Sequence, residues 1–301
     1  MLNITGKTRI IGVIGYPVSH SRSPQMHNAA IADLGLDFAY LPFAVKPQDL
    51  AHAIHGFKAQ QVVGINVTIP HKQTVIPLID QLSTQASLIG AVNTLVFENN
   101  QVYGHNTDAD GFIRSMQETI NLSKFELPSH NTKAVILGSG GASRAIVVAL
   151  ALNGIREIII ANRTEAKAKS LINDLGHKLS QAELLEPVRL ILAKINSEKL
   201  ANHISTCHLL VNTTSVGMDS TTEINLFDLD ALSSQTAVYD IVYTPPVTAL
   251  IKAAQLKGCP TIGGLGMLVH QGAIAFQKWT EVAPNVSVMK HALSQSLSQN
   301  I

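Results

Sequence analysis

Cysteine is nearly missing from this chain of 301 residues: Cys207 and Cys259 are the only two, far apart and in no C-x-x-C pair. That excludes a disulfide framework and a Cys-rich zinc site, and it fits two reduced thiols in a cytoplasmic protein. Charge of one sign is lacking too, because 22 Lys and Arg face 21 Asp and Glu for a formal net charge of +1. Nucleic-acid and anionic-membrane binding lose their usual electrostatic basis, so any anionic ligand has to be held locally. Long apolar runs are absent as well. The richest stretch, 134–160, is broken by Arg144, Asn153, Arg156, Glu157 and several glycines, short of the roughly 18 uninterrupted apolar residues of a membrane span. Gly6, Lys7, Thr8 and Arg9 precede the short apolar run Ile10 to Ile14, which leaves no signal-peptide core and reads as a first strand.

What is present points to buried cores. Charged residues make up 14% and hydrophobic ones 46% of the chain, the reverse of a composition that stays disordered. A soluble protein of about two domains of roughly 150 residues each is expected.

Short β-rich runs, at Ile10 to Ile14, Phe38 to Val45, Val62 to Thr68 and Thr94 to Phe97, alternate with helical patterns such as Pro24 to Leu34, which predicts a small α/β domain. A helix from about Gly111 to Ile120 leads into the polar stretch Asn121 to Thr132, read as a surface connection. Five further apolar runs follow: Ala134 to Leu137, Glu157 to Ala161, Val188 to Ala193, His208 to Val211 and Ala237 to Val242. Most are separated by helical patterns, which predicts a doubly wound parallel sheet. Two amphipathic helices, Leu265 to Trp279 and Val286 to Leu297, close the chain.

Gly138, Ser139, Gly140, Gly141, Ala142 and Ser143 lie between the strand Ala134 to Leu137 and the helical run Arg144 to Leu152. Strand, glycine turn and helix together make a dinucleotide fingerprint. A pyrophosphate reaches backbone N–H groups at a helix N-terminus only where no Cβ intervenes. Ser143 departs from the third glycine position, which a small residue should tolerate. About twenty residues beyond Ala142, where an NAD site places Asp or Glu, stand Asn162, Arg163 and Thr164. A guanidinium grips a 2′-phosphate that a carboxylate would repel, so NADP is preferred over NAD. The plainer reading makes Arg163 a solvated charge at a strand end.

Three further segments carry polar groups that chemistry could use. In the first, Ser21, Arg22, Ser23 and Pro24 stand at a helix start, with Ser23 suited to the N-cap and Pro24 to the first helical position. Serine hydroxyls there make a carboxylate cradle, and Ser21 has no capping role to explain it. The second, Asn66 to Lys72, puts Asn66 and Thr68 on one face of a strand end, followed by Lys72 just past Pro70. An ammonium there could stabilise and protonate the alkoxide of a reduced carbonyl, although a lone lysine is more often a surface residue. The third, Asn106, Thr107 and Asp108, precedes the helix near Gly111, where Thr107 or Asp108 could be an N-cap. A carboxylate beside the lysine would also orient it. Asn93, within Gly90 to Leu95, could be a turn residue and nothing else.

With Asn212 to Met218, Tyr239 to Tyr243 and Gly264 to Gln271 added, these ordered motifs resemble the shikimate dehydrogenase family along nearly the whole chain. The resemblance implies NADPH-dependent, reversible reduction of 3-dehydroshikimate to shikimate in aromatic amino acid biosynthesis. It implies an N-terminal α/β substrate domain (1–107, completed by 265–301 as the last helices fold back onto it) and a Rossmann-like NADP domain (108–264), with substrate in the cleft between them. Lys72 and Asp108 would be the catalytic pair. Ser21, Ser23, Thr68, Asn93 and Gln271 would bind substrate, with Tyr243 near it and Asn66 supporting the site or touching the ligand. Gly138, Gly140, Gly141, Ala142, Asn162, Arg163 and Thr164 would hold the nucleotide. Thr213, Val242, Gly266 and Met267 would line the nicotinamide pocket. The stretch from about Leu175 to Asn202 carries no family motif.

Two other readings share these residues: a quinate/shikimate dehydrogenase with dual NAD and NADP use, and a non-catalytic ligand sensor of the same fold. The missing acidic residue near Asn162 speaks against the first, and Lys72 with Asp108 against the second. A metal enzyme is disfavoured, since His52 and His55 have no third ligand at useful spacing. The expected partner is the small-molecule substrate, with no nucleic acid or membrane, in a monomer or homodimer.

Overall fold

The computed structural model describes residues 4–119, 132–218 and 226–298. The polar connection Asn121 to Thr132 lies, apart from Thr132, outside the described residues, as does Ile120 at the end of the preceding helix. The chain forms two compact units, one of Met1–Gly111 with Leu268–Ile301 and one of Phe112–Met267.

The first unit begins β1 (Arg9–Gly15), α1 (Ser23–Asp33), β2 (Phe38–Ala44), α2 (Leu50–Ala59) and β3 (Gly64–Val67). It continues with β4 (Gln81–Leu82), α3 (Thr84–Ile89), β5 (Thr94–Glu98) and β6 (Gln101–His105). Their sheet has the order β2-β1-β3-β5-β6-β4. β1 pairs in parallel with β2 and β3, whereas β5 runs antiparallel to both β3 and β6. The reversal is made at Asn99 and Asn100, which hold φ of 49° and 58°, the left-handed pair that a tight hairpin needs and that asparagine tolerates. Sequence periodicity did not separate β6 from β5, because the turn lacks the usual glycine. Ile14, Ile54, Phe57, Ile65, Val67 and Leu95 form part of the core on one face of this sheet.

α4 (Asp108–Thr119) leads into the second unit, which holds β7 (Lys133–Leu137), α5 (Gly141–Leu152), β8 (Glu157–Asn162), α6 (Glu165–Gln181) and β9 (Arg189–Lys194). α7 (Glu198–Ile204), β10 (Leu209–Asn212), β11 (Ala237–Asp240), α8 (Ala249–Leu256) and β12 (Thr261–Gly263) follow. The order β12-β11-β10-β7-β8-β9, parallel throughout, is the doubly wound Rossmann arrangement. Strands covered on both faces read as unbroken apolar runs, which is why five were visible in the sequence. β12, three residues long, is too short to show one. The motif-free stretch 175–202 forms the end of α6, β9 and most of α7.

α9 (Leu265–Thr280) and α10 (Val286–Ser298) return the chain to the first unit. α10 packs along α1. Trp279, on α9, donates its Nε1 hydrogen to the Leu95 carbonyl at 2.9 Å. A Cβ on Gly64 would stand 1.9 Å from that nitrogen, so only glycine admits the indole.

Candidate active site

Lys72 is placed by a turn that closes from the His71 N–H to the Thr68 carbonyl at 2.9 Å. The buried His71 ring meets the Val45 carbonyl through Nε2 at 2.7 Å, and the Lys72 carbonyl accepts from the Val92 N–H at 2.7 Å. α4 starts at Asp108, earlier than the expected Gly111, so Asp108 sits in its first turn instead of before it. Its own N–H is held by Asn106 Oδ1 at 3.0 Å, and Asn106 Nδ2 donates to the Ala91 carbonyl at 2.9 Å. The Asp108 carboxylate therefore faces Lys72 and Asn93: Lys72 Nζ stands 2.6 Å from Oδ2, and Asn93 Nδ2 2.9 Å from Oδ1. The two charged side chains are 17% and 6% exposed. This is not the free surface lysine that the residue alone would suggest.

Asn93, buried, is the centre of a polar network rather than a turn residue. Its Nδ2 also lies 2.9 Å from Thr107 Oγ1 and 3.2 Å from Gln271 Oε1, while Oδ1 accepts from the Thr107 N–H at 2.8 Å. Gln271, on α9, donates from Nε2 to the Leu268 carbonyl at 2.8 Å, which fixes its amide. Asn66 is spent within the protein: Oδ1 accepts from Tyr40 Oη at 2.8 Å, and Nδ2 donates to the Asn93 carbonyl at 3.1 Å and Thr94 Oγ1 at 3.2 Å. Of the two roles left open for Asn66, these bonds suit support of Asn93.

α1 starts at Ser23, with Arg22 at the N-cap and Pro24 in the first turn. Ser23 is thus inside the helix and not its cap, and among the described residues its hydroxyl has no hydrogen-bond partner. Ser21 does have a structural task, since its Oγ accepts from the Ser23 N–H at 3.3 Å. Thr68 lies just beyond the end of β3, half-buried, with its N–H bonded to the Ile14 carbonyl at 2.9 Å. Its methyl would stand 2.5 Å from a Cβ on Gly15.

In the second unit Gly138 follows β7 with φ +118°, and a Cβ there would meet Thr213 Oγ1 at 2.4 Å. Thr213 donates that hydroxyl to the Leu137 carbonyl at 2.7 Å. Gly140 precedes α5 and has nothing within 4 Å of where a Cβ would be, and Gly141 and Ala142 form the first turn of the helix. The open space over first-turn N–H groups that lack helical partners suits a pyrophosphate. Ser143 is buried and donates Oγ–H to the Gly138 carbonyl at 2.9 Å, which accounts for serine at the third glycine position. Asn162 ends β8 and donates Nδ2–H to the Thr164 carbonyl at 3.0 Å. Arg163 and Thr164 are exposed. Val242 is buried, with its N–H bonded to Asp240 Oδ1 at 3.1 Å. Gly266 faces Ser115, whose Oγ would be 2.4 Å from a Cβ, and Met267 follows it on α9. Tyr243 is half-buried in the loop between β11 and α8.

Three family models match this sequence: "Shikimate dehydrogenase substrate binding domain" over residues 13–95, "Shikimate / quinate 5-dehydrogenase" over 120–229, and "Shikimate 5'-dehydrogenase C-terminal domain" over 264–293. The shikimate dehydrogenase (NADP(+)) of Carboxydothermus hydrogenoformans is 41% identical over 98% of this chain and 100% of its own. The chain belongs to the shikimate dehydrogenase family. A member solved in complex with NADP+ superposes with a TM-score of 0.86 at 38% identity, covering 98% of each chain. A quinate dehydrogenase from Corynebacterium glutamicum, solved with NAD, gives 0.85 at 30% identity over 96% of this chain and 99% of that one.

Sequence reading of this family member missed Tyr40, Thr94 and the supporting part of Thr107. Their hydroxyls meet Asn66 and Asn93 only through strand pairing and the start of α4. Asn28, on α1, holds Tyr40 from both sides, donating to its carbonyl at 3.0 Å and accepting from its N–H at 2.9 Å. His52 and His55 lie on the exposed face of α2.

Proposed function

We propose that this chain reduces 3-dehydroshikimate to shikimate with NADPH, reversibly, in the cytoplasm, as a monomer or homodimer with no nucleic-acid or membrane partner. The observation that carries the reading is the shielded Lys72–Asp108 pair with Asn93 on its second oxygen, in a chain 41% identical over its length to a shikimate dehydrogenase (NADP(+)). A ligand sensor would have no need of a positioned proton donor.

NADPH, when bound, supplies the hydride. Lys72 does the rest of the bond-making: its ammonium lies against the carbonyl oxygen, stabilises the negative charge that develops there and delivers the proton that completes the hydroxyl. Asp108 holds Nζ in place and accepts a hydrogen bond from a substrate hydroxyl. Ser21 and Ser23 grip the carboxylate at the N-terminus of α1, where backbone N–H groups and the helix dipole favour an anion. Thr68, Asn93 and Gln271 address ring hydroxyls, and Tyr243 stands near the substrate. Asn66 acts by keeping Asn93 in place.

The unit carrying Lys72 is the substrate domain and the other the NADP domain. Gly138, Gly140, Gly141 and Ala142 take the pyrophosphate, Thr213, Val242, Gly266 and Met267 line the nicotinamide, and Asn162, Arg163 and Thr164 take the 2′-phosphate.

Four absorbance traces at 340 nm, with shikimate or quinate offered with NADP or NAD, test the proposal. Shikimate with NADP should be fastest. A dominant quinate or NAD trace would instead assign the chain to the quinate/shikimate branch, and four flat traces would leave the sensor reading.

A further inference from the structure

The mechanism leaves unexplained a carboxylate buried in the second unit. Asp240 closes β11 and stands in register with Asn212, which closes β10, and both are essentially inaccessible. Burial pushes its carboxyl above the usual carboxylate range, and among the described residues no Lys or Arg pairs with it. A buried carboxylate without a cation is costly unless hydrogen-bond donors serve its oxygens, and here three donors do. Oδ1 accepts from Asn212 Nδ2 at 2.9 Å and from the Val242 N–H at 3.1 Å, and Oδ2 accepts from Thr248 Oγ1 at 2.6 Å.

The donors come from the end of β10 and from two points of the loop that joins β11 to α8. Asn212 passes the order on: Oδ1 accepts from the Thr214 N–H at 3.1 Å and its hydroxyl at 2.7 Å, and Nδ2 reaches the Val216 carbonyl at 3.1 Å. Thr248 caps α8 by accepting from the Ile251 N–H at 3.2 Å. Thr213 and Val242 each sit one or two residues from the two strand-end side chains. In a doubly wound sheet the carboxyl ends of the strands around the switch point, here β7 and β10, are where a dinucleotide binds. Three points of the chain thus converge on one side chain that cannot itself be reached by a ligand.

We propose that Asp240 is a positioning residue for NADP: through Asn212, Val242 and Thr248 it preforms the two loops that present Thr213 and Val242 to the nicotinamide half of the cofactor. The inference rests on the NADP reading above. A side chain serving only the fold would alter stability and leave cofactor affinity alone, whereas preorganisation appears in affinity.

The test compares Asp240→Asn with Thr236→Val in the full-length protein. Thr236 is also buried in the second unit and donates to the Cys207 carbonyl at 2.9 Å, remote in the hydrogen-bond network from Asp240. Melting temperature, NADP dissociation constant by calorimetry, and steady-state constants are measured for each. For Asp240→Asn the dissociation constant and KM for NADP should rise about tenfold or more, with KM for shikimate within about twofold of wild type. Thr236→Val should melt earlier and bind NADP normally. Where Asp240→Asn does not fold, Thr248→Val, which removes the bond to Oδ2 together with the cap on α8, carries the same comparison. Wild-type affinity for NADP in whichever of the two variants folds overturns the inference, and so does equal weakening in Thr236→Val. A wild-type protein that binds no NADP overturns the cofactor reading instead.

Discussion

Asn93 and Gln271 are 178 positions apart in the chain and meet at 3.2 Å, Nδ2 to Oε1. The same Asn93 nitrogen lies 2.9 Å from Asp108 Oδ1, so the last part of the chain is coupled to the carboxylate that holds Lys72.

Lys72→Ala should lower kcat by about 10²- to 10⁴-fold, the range for a group that handles a proton in the transition state. KM for shikimate should move much less. Steady-state kinetics at pH 7 check this, and a near-normal kcat would remove Lys72 from the chemistry.

Ser23→Ala should weaken shikimate binding by about 1–3 kcal/mol, the range for losing a hydrogen bond to a charged group. Its melting temperature should not change, because the hydroxyl caps nothing. Ser21→Ala should lose binding to a similar degree and also some stability, since its Oγ accepts from the Ser23 N–H. Calorimetric titration with shikimate separates the two. Normal binding in both variants would place the carboxylate elsewhere.

Arg163→Ala should raise KM for NADP and leave that for NAD nearly unchanged, a selectivity loss of about 1.5–3 kcal/mol. The side chain is exposed, so folding should be unaffected. Asn162→Asp adds repulsion against the 2′-phosphate and an acceptor for ribose hydroxyls, and should make NAD the better cofactor. Equal effects of Arg163→Ala on both cofactors would contradict the phosphate contact.

Stability should fall in acid. Burial pushes His27 from 6.5 down to about 3, and its ring stacks on Tyr40 at 4.2 Å. Between those two values the unfolded chain binds a proton that the folded one refuses. The stabilisation is therefore complete above about 6.5 and is lost as pH falls toward 3, at about 1.4 kcal/mol per pH unit well inside that window. His105, pushed down to about 4 by burial and by Lys278, adds a smaller loss because it is half-exposed. Urea unfolding at several pH values from 7 to 4 measures the slope, and His27→Phe should flatten it. An identical slope in the variant would mean that His27 is not the group responsible.

The second unit is the part most legible in the sequence. Strands of a sheet buried on both faces must be apolar throughout, and a glycine turn that lets phosphate approach a helix leaves its composition in consecutive residues, so β7, Gly138 to Ala142 and α5 were legible locally. Lys72, Asp108 and Asn93 were legible as residue types with several possible uses. Only the tertiary structure decided among those uses, because a charge, a cap and a turn residue look alike until their partners are known. The partners come from distant segments: Asp108 reaches Lys72 across 36 positions and Asn93 reaches Gln271 across 178. Asp240 shows the same limit in the second unit. Its sequence neighbours are apolar strand residues, and only the pairing of β11 with β10 brings Asn212 and the loops beyond it to the carboxylate. Local composition fixes which backbone shapes a segment can adopt, whereas a buried polar group takes its role from whatever the fold brings within hydrogen-bonding distance.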